Sequence, residues 1–373
     1  MHCKGIEVWA KFFLLFLFII VQIFCWFRWG VSLHLDSDNY IEYSKHLLQH
    51  FSFPYPRLFW YTSYAYFLAI FQFFSLSLHL VVITQILIAF MATCALYKIT
   101  LKISEHHLAA FIACLLFICC IKIQWWNNYI LTESLFINTN ILFFYFLSKY
   151  QDFSWRIFRL IPFLVFIFFI RPTGIVTVIT FTIYLLYLVG RNVSKKQFAY
   201  YLVLPLIVVF LILANKMLSY YNIIEALQNG QIICGLNDIK THIADTEKYS
   251  HYQSNLLKIV LFIWDNPVHF IKISFYKMSY FLSTCRPTYS YEHNFVSIVF
   301  FLPVYAFAIL AGFKSKIKLI YKIYILSFIG LIFALVLVTC INWDSRFLTP
   351  ILPFIFILSA TGSDTFYRLY LEK

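Results

Sequence analysis

The sequence predicts an all-α polytopic membrane protein, and three observations carry that expectation. Of 373 residues, 62% are hydrophobic and only 12% are charged, about half the charged share of a soluble domain. Apolar runs recur along the whole length, with no polar half that would form a separate soluble domain. Lys and Arg fall mainly in the short gaps between those runs, as topology signals do. The formal net charge of +13 therefore belongs to membrane-flanking loops and implies no nucleic acid, which would gather the cations on one element. One membrane domain over residues 1–373 is expected, a bundle of about ten transmembrane helices.

The elements follow in order. Phe12 to Phe27 carries no charge and makes about 24 Å of helix, with Lys11 and Arg28 placed to snorkel. The stretch Cys25-Trp26-Phe27-Arg28-Trp29-Gly30 lacks a small-x-small cleavage pattern, so an uncleaved first span is expected rather than a signal peptide. Residues 30–60 form the first outer loop, with a short helix expected from Tyr40 to Leu48 before Pro54 and Pro56 stop it. Leu58 to Tyr97 contains no Asp, Glu, Lys or Arg. It divides into an interfacial or re-entrant helix near 59–75 and a full span near 78–97. Further spans are expected near 107–123, 135–148, 158–170, 173–189, 199–217, 294–312, 323–341 and 349–363. Residues 218–292 make a second, large outer loop, polar at first and then helical in pattern from Leu256 to Phe281, with one break at Asn266-Pro267.

Orientation comes from Lys and Arg alone. Alternate gaps hold Lys98 and Lys102, then Lys149, Arg156 and Arg159, then Arg191, Lys195 and Lys196, then Lys314, Lys316, Lys318 and Lys322. With Lys4, Lys11, Arg368 and Lys373 they make one basic side, which the positive-inside rule puts in the cytoplasm with both termini. The opposite side then receives Asp36, Asp38, Glu42, Glu133, Asp344 and the 218–292 loop. Cys25, Cys94, Cys114, Cys119, Cys120 and Cys340 lie in or beside apolar runs and are expected to act as small fillers. Cys234 and Cys285 share the large loop and could pair in an oxidising compartment, a pairing the sequence leaves open.

Four stretches could carry chemistry. Asp36 and Asp38 open the first loop as Leu35-Asp36-Ser37-Asp38-Asn39-Tyr40. One of them could simply cap the next helix, although Asn39 and Glu42 also fit a capping box. Glu133 stands at the outer start of an apolar run, where an ionisable group is either functional or solvated among headgroups, with Thr132 as cap. Arg171-Pro172-Thr173-Gly174 breaks the apolar stretch from Ile161 to Val189. Such a break is tolerated at membrane depth only against protein or a water-filled cavity. Arg171 could hold a phosphate, pair with Glu133, or snorkel from a plain turn. Trp343-Asp344-Ser345-Arg346 precedes the last span, where Arg346 suits a phosphate oxyanion or pairs with Asp344.

In this order the stretches resemble the GT-C superfamily of polytopic glycosyltransferases. The likeness is greatest to the branch of protein O-mannosyltransferases and the bacterial aminoarabinose transferases that act on lipid A. It rests on Asp36-x-x-x-Tyr40, Phe53-Pro54-Tyr55-Pro56, Thr132-Glu133-Ser134-Leu135, Arg171-Pro172-x-Gly174, Asn266-Pro267 and Arg346-Phe347-x-x-Pro350-x-x-Pro353. Many relatives place two acids side by side in the first loop, whereas Ser37 separates them here. The resemblance implies an enzyme of the bacterial inner membrane with an extracytoplasmic site. Its donor is a polyprenyl-phosphate-linked sugar, and its acceptor is a hydroxyl of a lipid, glycan or protein. By the same resemblance Asp36 is the catalytic base with Asp38 in reserve. Tyr40, Glu133 and Asp344 contact substrate, and Arg346, then Arg171, meets the phosphate. No cofactor is required, and a divalent metal, if used, would fall to Asp36 and Glu133.

Two other classes remain open. An O-antigen polymerase or ligase also carries a large outer loop, and His242, His251, His269 and His293 suit that reading. A transporter or flippase usually shows interrupted helices in matching halves, and one interruption, at Arg171-Pro172, is found here.

Overall fold

A computed structural model of the chain describes residues 2–50, 52, 56–191, 208, 211–216, 218, 227, 229–234, 247–249, 251–286, 289–341 and 345–370. Among them all repeating structure is helical, and the helices follow the apolar runs. In chain order they are α1 (His2–Trp29), α2 (Leu35–His50), α3 (Thr62–Phe73), α4 (Leu78–Ser104), α5 (His107–Cys119), α6 (Ile121–Gln124), α7 (Thr132–Leu147), α8 (Ile161–Phe168) and α9 (Gly174–Gly190). Then come α10 (Asn255–Asp265), α11 (Pro267–Ser283), α12 (Tyr291–Lys314), α13 (Leu319–Val338) and α14 (Leu352–Tyr370). Short 3₁₀ turns, Pro56–Tyr61, Trp125–Asn128 and Trp155–Leu160, stand before α3, after α6 and before α8. Pro162 and Pro267 sit where a missing N–H costs nothing, in the first turn of α8 and of α11, whereas Pro303 lies inside α12.

Among the described residues, four helices are long and apolar enough to cross a bilayer: Glu7–Trp29, Leu78–Ser104, Tyr291–Lys314 and Leu319–Val338. His107–Cys119 and Ile121–Asn128, bent by 63°, make a fifth if taken as one broken span. The chain is that of an integral membrane protein. The span expected near 199–217 falls largely outside the described residues, as do Phe53, Pro54 and Tyr55.

The chain divides into two compact units. The first comprises Met1–Phe181, Val304–Ile325 and Thr349–Lys373. Its centre is α7, buried from Thr132 to Leu147 on nearly every side, as a helix without a solvated stripe must be. Helices inside a bilayer gain little from burying apolar surface and instead approach through small residues. Ala109 and Ala113 of α5 accordingly meet Ala360 of α14. At Gly362 a Cβ would lie 1.9 Å from the Phe307 carbonyl oxygen, so only glycine lets α12 and α14 come this close. Phe144 of α7 stacks on Tyr324 of α13 at 4.3 Å.

The second unit comprises Thr182–Pro303 and Leu326–Leu348. Leu227, Tyr249, Ile259 and Phe262 form its core, with Val338 at the edge. Ser254 caps α10 by accepting the Leu257 N–H at 3.3 Å. Beyond α13 the backbone pairs with the loop: Ile341 donates to the Ile232 carbonyl at 2.8 Å and Cys234 donates to Ile341 at 2.9 Å. That pairing brings Cys234 and Cys340 to a Cα–Cα distance of 5.3 Å, and they form a disulfide. The expected Cys234–Cys285 pair is thereby corrected, since Cys285 is free, and Cys340 is no mere filler. Sharing a loop proved a poorer guide than sharing a backbone ladder.

The bridge joins residues 106 apart in sequence, and closing a loop of that size restricts the unfolded chain strongly. Replacing both cysteines by Ser should cost about 2–5 kcal/mol. Thermal unfolding with and without reductant should show the same loss in the wild type and none in the double variant, while Cys285→Ser should leave the midpoint in place.

Candidate functional site

The site is built where several loops of the first unit are tied to one another by backbone. Ser32 donates to the Asn128 carbonyl at 2.9 Å, and Ile130 donates back to Ser32 at 3.1 Å. The Asn128 amide also donates to the Gly30 carbonyl at 2.9 Å. This short parallel bridge holds the start of α2 beside the start of α7. Ser63, in the first turn of α3, donates to the Phe169 carbonyl at 2.9 Å. Phe59 and Trp60 pack on Phe169, which leads into Arg171.

Glu133 lies in the first turn of α7 and is fully buried. Arg171, also buried, places Nη1 3.2 Å from Glu133 Oε1. Its guanidinium lies 5.5 Å from the centre of the Phe136 ring, one turn further along α7. The Arg171–Gly174 turn makes this possible. Gly174 donates to the Arg171 carbonyl at 2.8 Å, and a Cβ at Gly174 would lie 2.5 Å from the Ile167 carbonyl oxygen. Of the readings open for Arg171, pairing with Glu133 is the one observed. The Thr177 hydroxyl then donates to Asn140 at 2.7 Å, fixing α9 along the same face of α7.

A second polar stripe of α7 faces elsewhere and was missed by sequence reasoning. Ser134 donates to Asn127 Oδ1 at 2.6 Å, and Asn138 reaches Ser134 at 3.4 Å. Asn127 in turn meets Gln124 and Gln22, and Gln22 donates to Gln124 at 2.7 Å. Gln85 of α4 donates to the carbonyls of Asn127 and Tyr129 at 2.9 and 3.0 Å. The signal was present as amides inside apolar runs, each buried here. Buried polar groups of this kind must be satisfied by one another.

The structure places α2 against this frame but starts it earlier than expected, at Leu35 rather than near Tyr40. Neither Asp caps it: Ser37 is buried and accepts the His34 N–H at 2.9 Å. Asp36 and Asp38 sit in the first turn, where the helix dipole favours carboxylates. Two residues apart, they face different ways; Asp36 is half-buried and Asp38 exposed. Tyr40 follows Asp36 by about one turn and is buried. Its ring packs on Tyr61 at 5.2 Å and on Tyr64 at 5.4 Å. Burial, and secondarily the Glu133 carboxylate, holds the Tyr64 hydroxyl well above the usual phenol range. The Tyr64 hydroxyl donates to Gln85 Oε1 at 3.5 Å. On the segments framing the site, His34 Nδ1, Trp60 Nε1, Trp126 Nε1, Asn128 Oδ1 and Thr173 Oγ1 are buried without a hydrogen-bond partner. Native structures leave few such atoms, and each marks a place that suits a polar group of water or ligand.

Arg346 belongs to the second unit, half-buried and directly after Ser345, whose φ is +58°. Asp344 lies outside the described residues. The second unit also holds two buried cations that the sequence did not single out. Arg286 donates to the carbonyls of Tyr280 and Cys285 at 2.8 and 2.7 Å. Lys277 of α11 is fully buried and donates to the Leu337 carbonyl, in the last turn of α13, at 3.0 Å. Burial pushes its ammonium down to about 7.

Among the described residues no three His, Cys, Asp or Glu side chains gather in one place. Glu133 is engaged by the Arg171 guanidinium. The chain matches no known protein family, no characterised protein and no solved structure when compared with each.

Two outcomes follow from these buried charges. Glu133→Gln or Arg171→Met alone should destabilise the first unit by about 3–5 kcal/mol, because each strands the other charge, whereas the double variant should recover most of that loss. A double-mutant cycle by thermal unfolding checks this. For Lys277 the folded value lies below the unfolded one, so the unfolded chain binds the extra proton between pH 7 and about 10.5. Stability of the second unit should rise with pH across that window, and Lys277→Met should flatten the rise.

Proposed function

We propose that this protein is an inverting glycosyltransferase that moves a sugar from a polyprenyl-phosphate donor to an acceptor hydroxyl outside the cytoplasm. One chain of contacts carries the reading. Tyr40 of α2 packs on Tyr64 of α3, the neighbouring Ser63 donates to Phe169, and Phe169 leads into the Arg171 that pairs with Glu133. Buried polar atoms without partners lie on the same segments. The architecture that goes with this reading is a GT-C-like bundle of about ten spans, with both termini in the cytoplasm.

Two features support the sidedness. Along α4, Gln85 meets the site, whereas Lys102 lies 17 residues further on, about 25 Å away. Along the chain, Lys314, Lys316 and Lys318 stand before the start of α13, and Cys340 of the Cys234–Cys340 disulfide follows its end. Disulfides persist in oxidising compartments. Lysines before α13 and a disulfide after it support this sidedness.

The division of labour is as follows. Asp36 takes the proton of the acceptor hydroxyl as it attacks, with Asp38 in reserve. Tyr40 shapes the pocket floor with Tyr64, and Glu133 positions substrate. The phosphate leaves with growing negative charge, which needs preorganised cations. Arg346 is the first of these and Arg171 the second, and Asp344 contacts substrate. A single displacement with one base inverts the anomeric centre without a covalent intermediate. The acceptor is a lipid, glycan or protein.

The test is transfer from a labelled polyprenyl-phosphate sugar in membranes containing the protein. Asp36→Asn should abolish transfer with membrane insertion intact, and wild-type turnover in that variant would sink the assignment of the base. Arg346→Ala should raise the donor KM by at least about tenfold, the worth of one charge-assisted hydrogen bond.

A further inference from the structure

At the other end of the first unit, lysines gather from α4, from the turn after α7 and from the residue before α13. Lys102 of α4 donates to the Ser148 carbonyl, which closes α7, at 2.5 Å. Tyr321 of α13 donates to that same carbonyl at 3.5 Å. Lys149 and Lys318 lie within electrostatic reach of Lys102, and Lys318 donates to Gln151 at 3.1 Å. Lys98 and Lys149 both lie over the Tyr145 ring, at 5.8 and 4.7 Å from its centre. All four ammonium groups are on exposed side chains, and none has a carboxylate partner among the described residues. Glu105 and Asp152, the acids nearest in sequence, are exposed as well.

A topology signal needs cations only somewhere in a loop. Here residues as far apart as 98 and 318 are gathered around the end of α7, against their mutual repulsion. Lys102 spends one of its three N–H bonds on Ser148 and keeps two. The Tyr145 ring beside them offers the flat apolar contact found at the depth of lipid glycerol backbones. Basic pockets between membrane helices accept phosphate-bearing headgroups. We propose that Lys98, Lys102, Lys149 and Lys318 form a binding site for the headgroup of an anionic phospholipid, in the leaflet opposite the candidate active site. The proposal stands whether or not the protein is a glycosyltransferase.

The test uses the full chain, purified in neutral detergent. Phosphatidylglycerol binding is compared with phosphatidylcholine by native mass spectrometry, with inorganic phosphate as competitor. Lys102→Gln/Lys149→Gln/Lys318→Gln should weaken phosphatidylglycerol binding at least tenfold, and Lys149→Gln alone about fivefold, near 1 kcal/mol per cation. Lys272→Gln, in the second unit, should change nothing. Should the triple variant fail to fold, Lys149→Gln decides, because its side chain donates no recorded hydrogen bond. Equal retention of phosphatidylglycerol by wild type and variant would overturn the proposal. So would a wild type that shows no preference between the lipids while binding inorganic phosphate at the same lysines.

Discussion

The ion pair between Glu133 and Arg171 sets the terms for the first unit. A lone carboxylate inside α7, a helix buried on nearly every side, would cost several kcal/mol even after relaxation. It is held there because a guanidinium reaches it at 3.2 Å. That guanidinium can reach it only if the apolar stretch from Ile161 to Val189 is broken at Arg171, and the break closes only with glycine at 174. One buried charge thereby dictates a turn, two short helices in place of one span, and a residue without a side chain.

The amide network performs the complementary task. Between membrane helices the hydrophobic effect gives little reason to choose one register over another. Gln22, Gln85, Gln124, Asn127, Ser134 and Asn138 supply that reason, because each must find its partners or be left unsatisfied in an apolar surround. Their bonds fix α1, α4 and the 125–128 turn around the start of α7. The same bonds hold the strand-like bridge at Ser32 and Tyr129, and so the position of α2. A rigid outer frame of this kind is what lets loop residues hold a defined geometry.

Much of this was legible. Apolar runs located most of the helices but not their ends: α1 begins at His2 and α4 runs on to Ser104, beyond the expected 12–27 and 78–97, because polar flanks continue a helix that an apolar run has started. The Arg171-Pro172-Thr173-Gly174 break and the cost of Glu133 were visible for the same reason: both violate a strong rule. The start of α2 was not, because Ser37 caps it from inside the expected loop, reaching back to His34 rather than forward. The glutamines and asparagines were passed over because one amide in an apolar run is unremarkable, and only their convergence makes a network. The Cys234–Cys340 bridge was hidden by sequence distance, since the backbone pairing of Ile341 with Ile232 has no signature in residue type.

The pairing also bears on how the proposed transfer would divide its cations. Arg171 cannot leave Glu133 for a departing phosphate without stranding a buried carboxylate, at about 3–5 kcal/mol. A charge-assisted hydrogen bond to the phosphate returns only about 1.5–3 kcal/mol. Arg171 therefore serves best where it is, keeping Glu133 ionised and the helix break closed. In the proposed mechanism the leaving group then falls to a guanidinium without that obligation toward Glu133, which is the physical reason for ranking Arg346 ahead of Arg171.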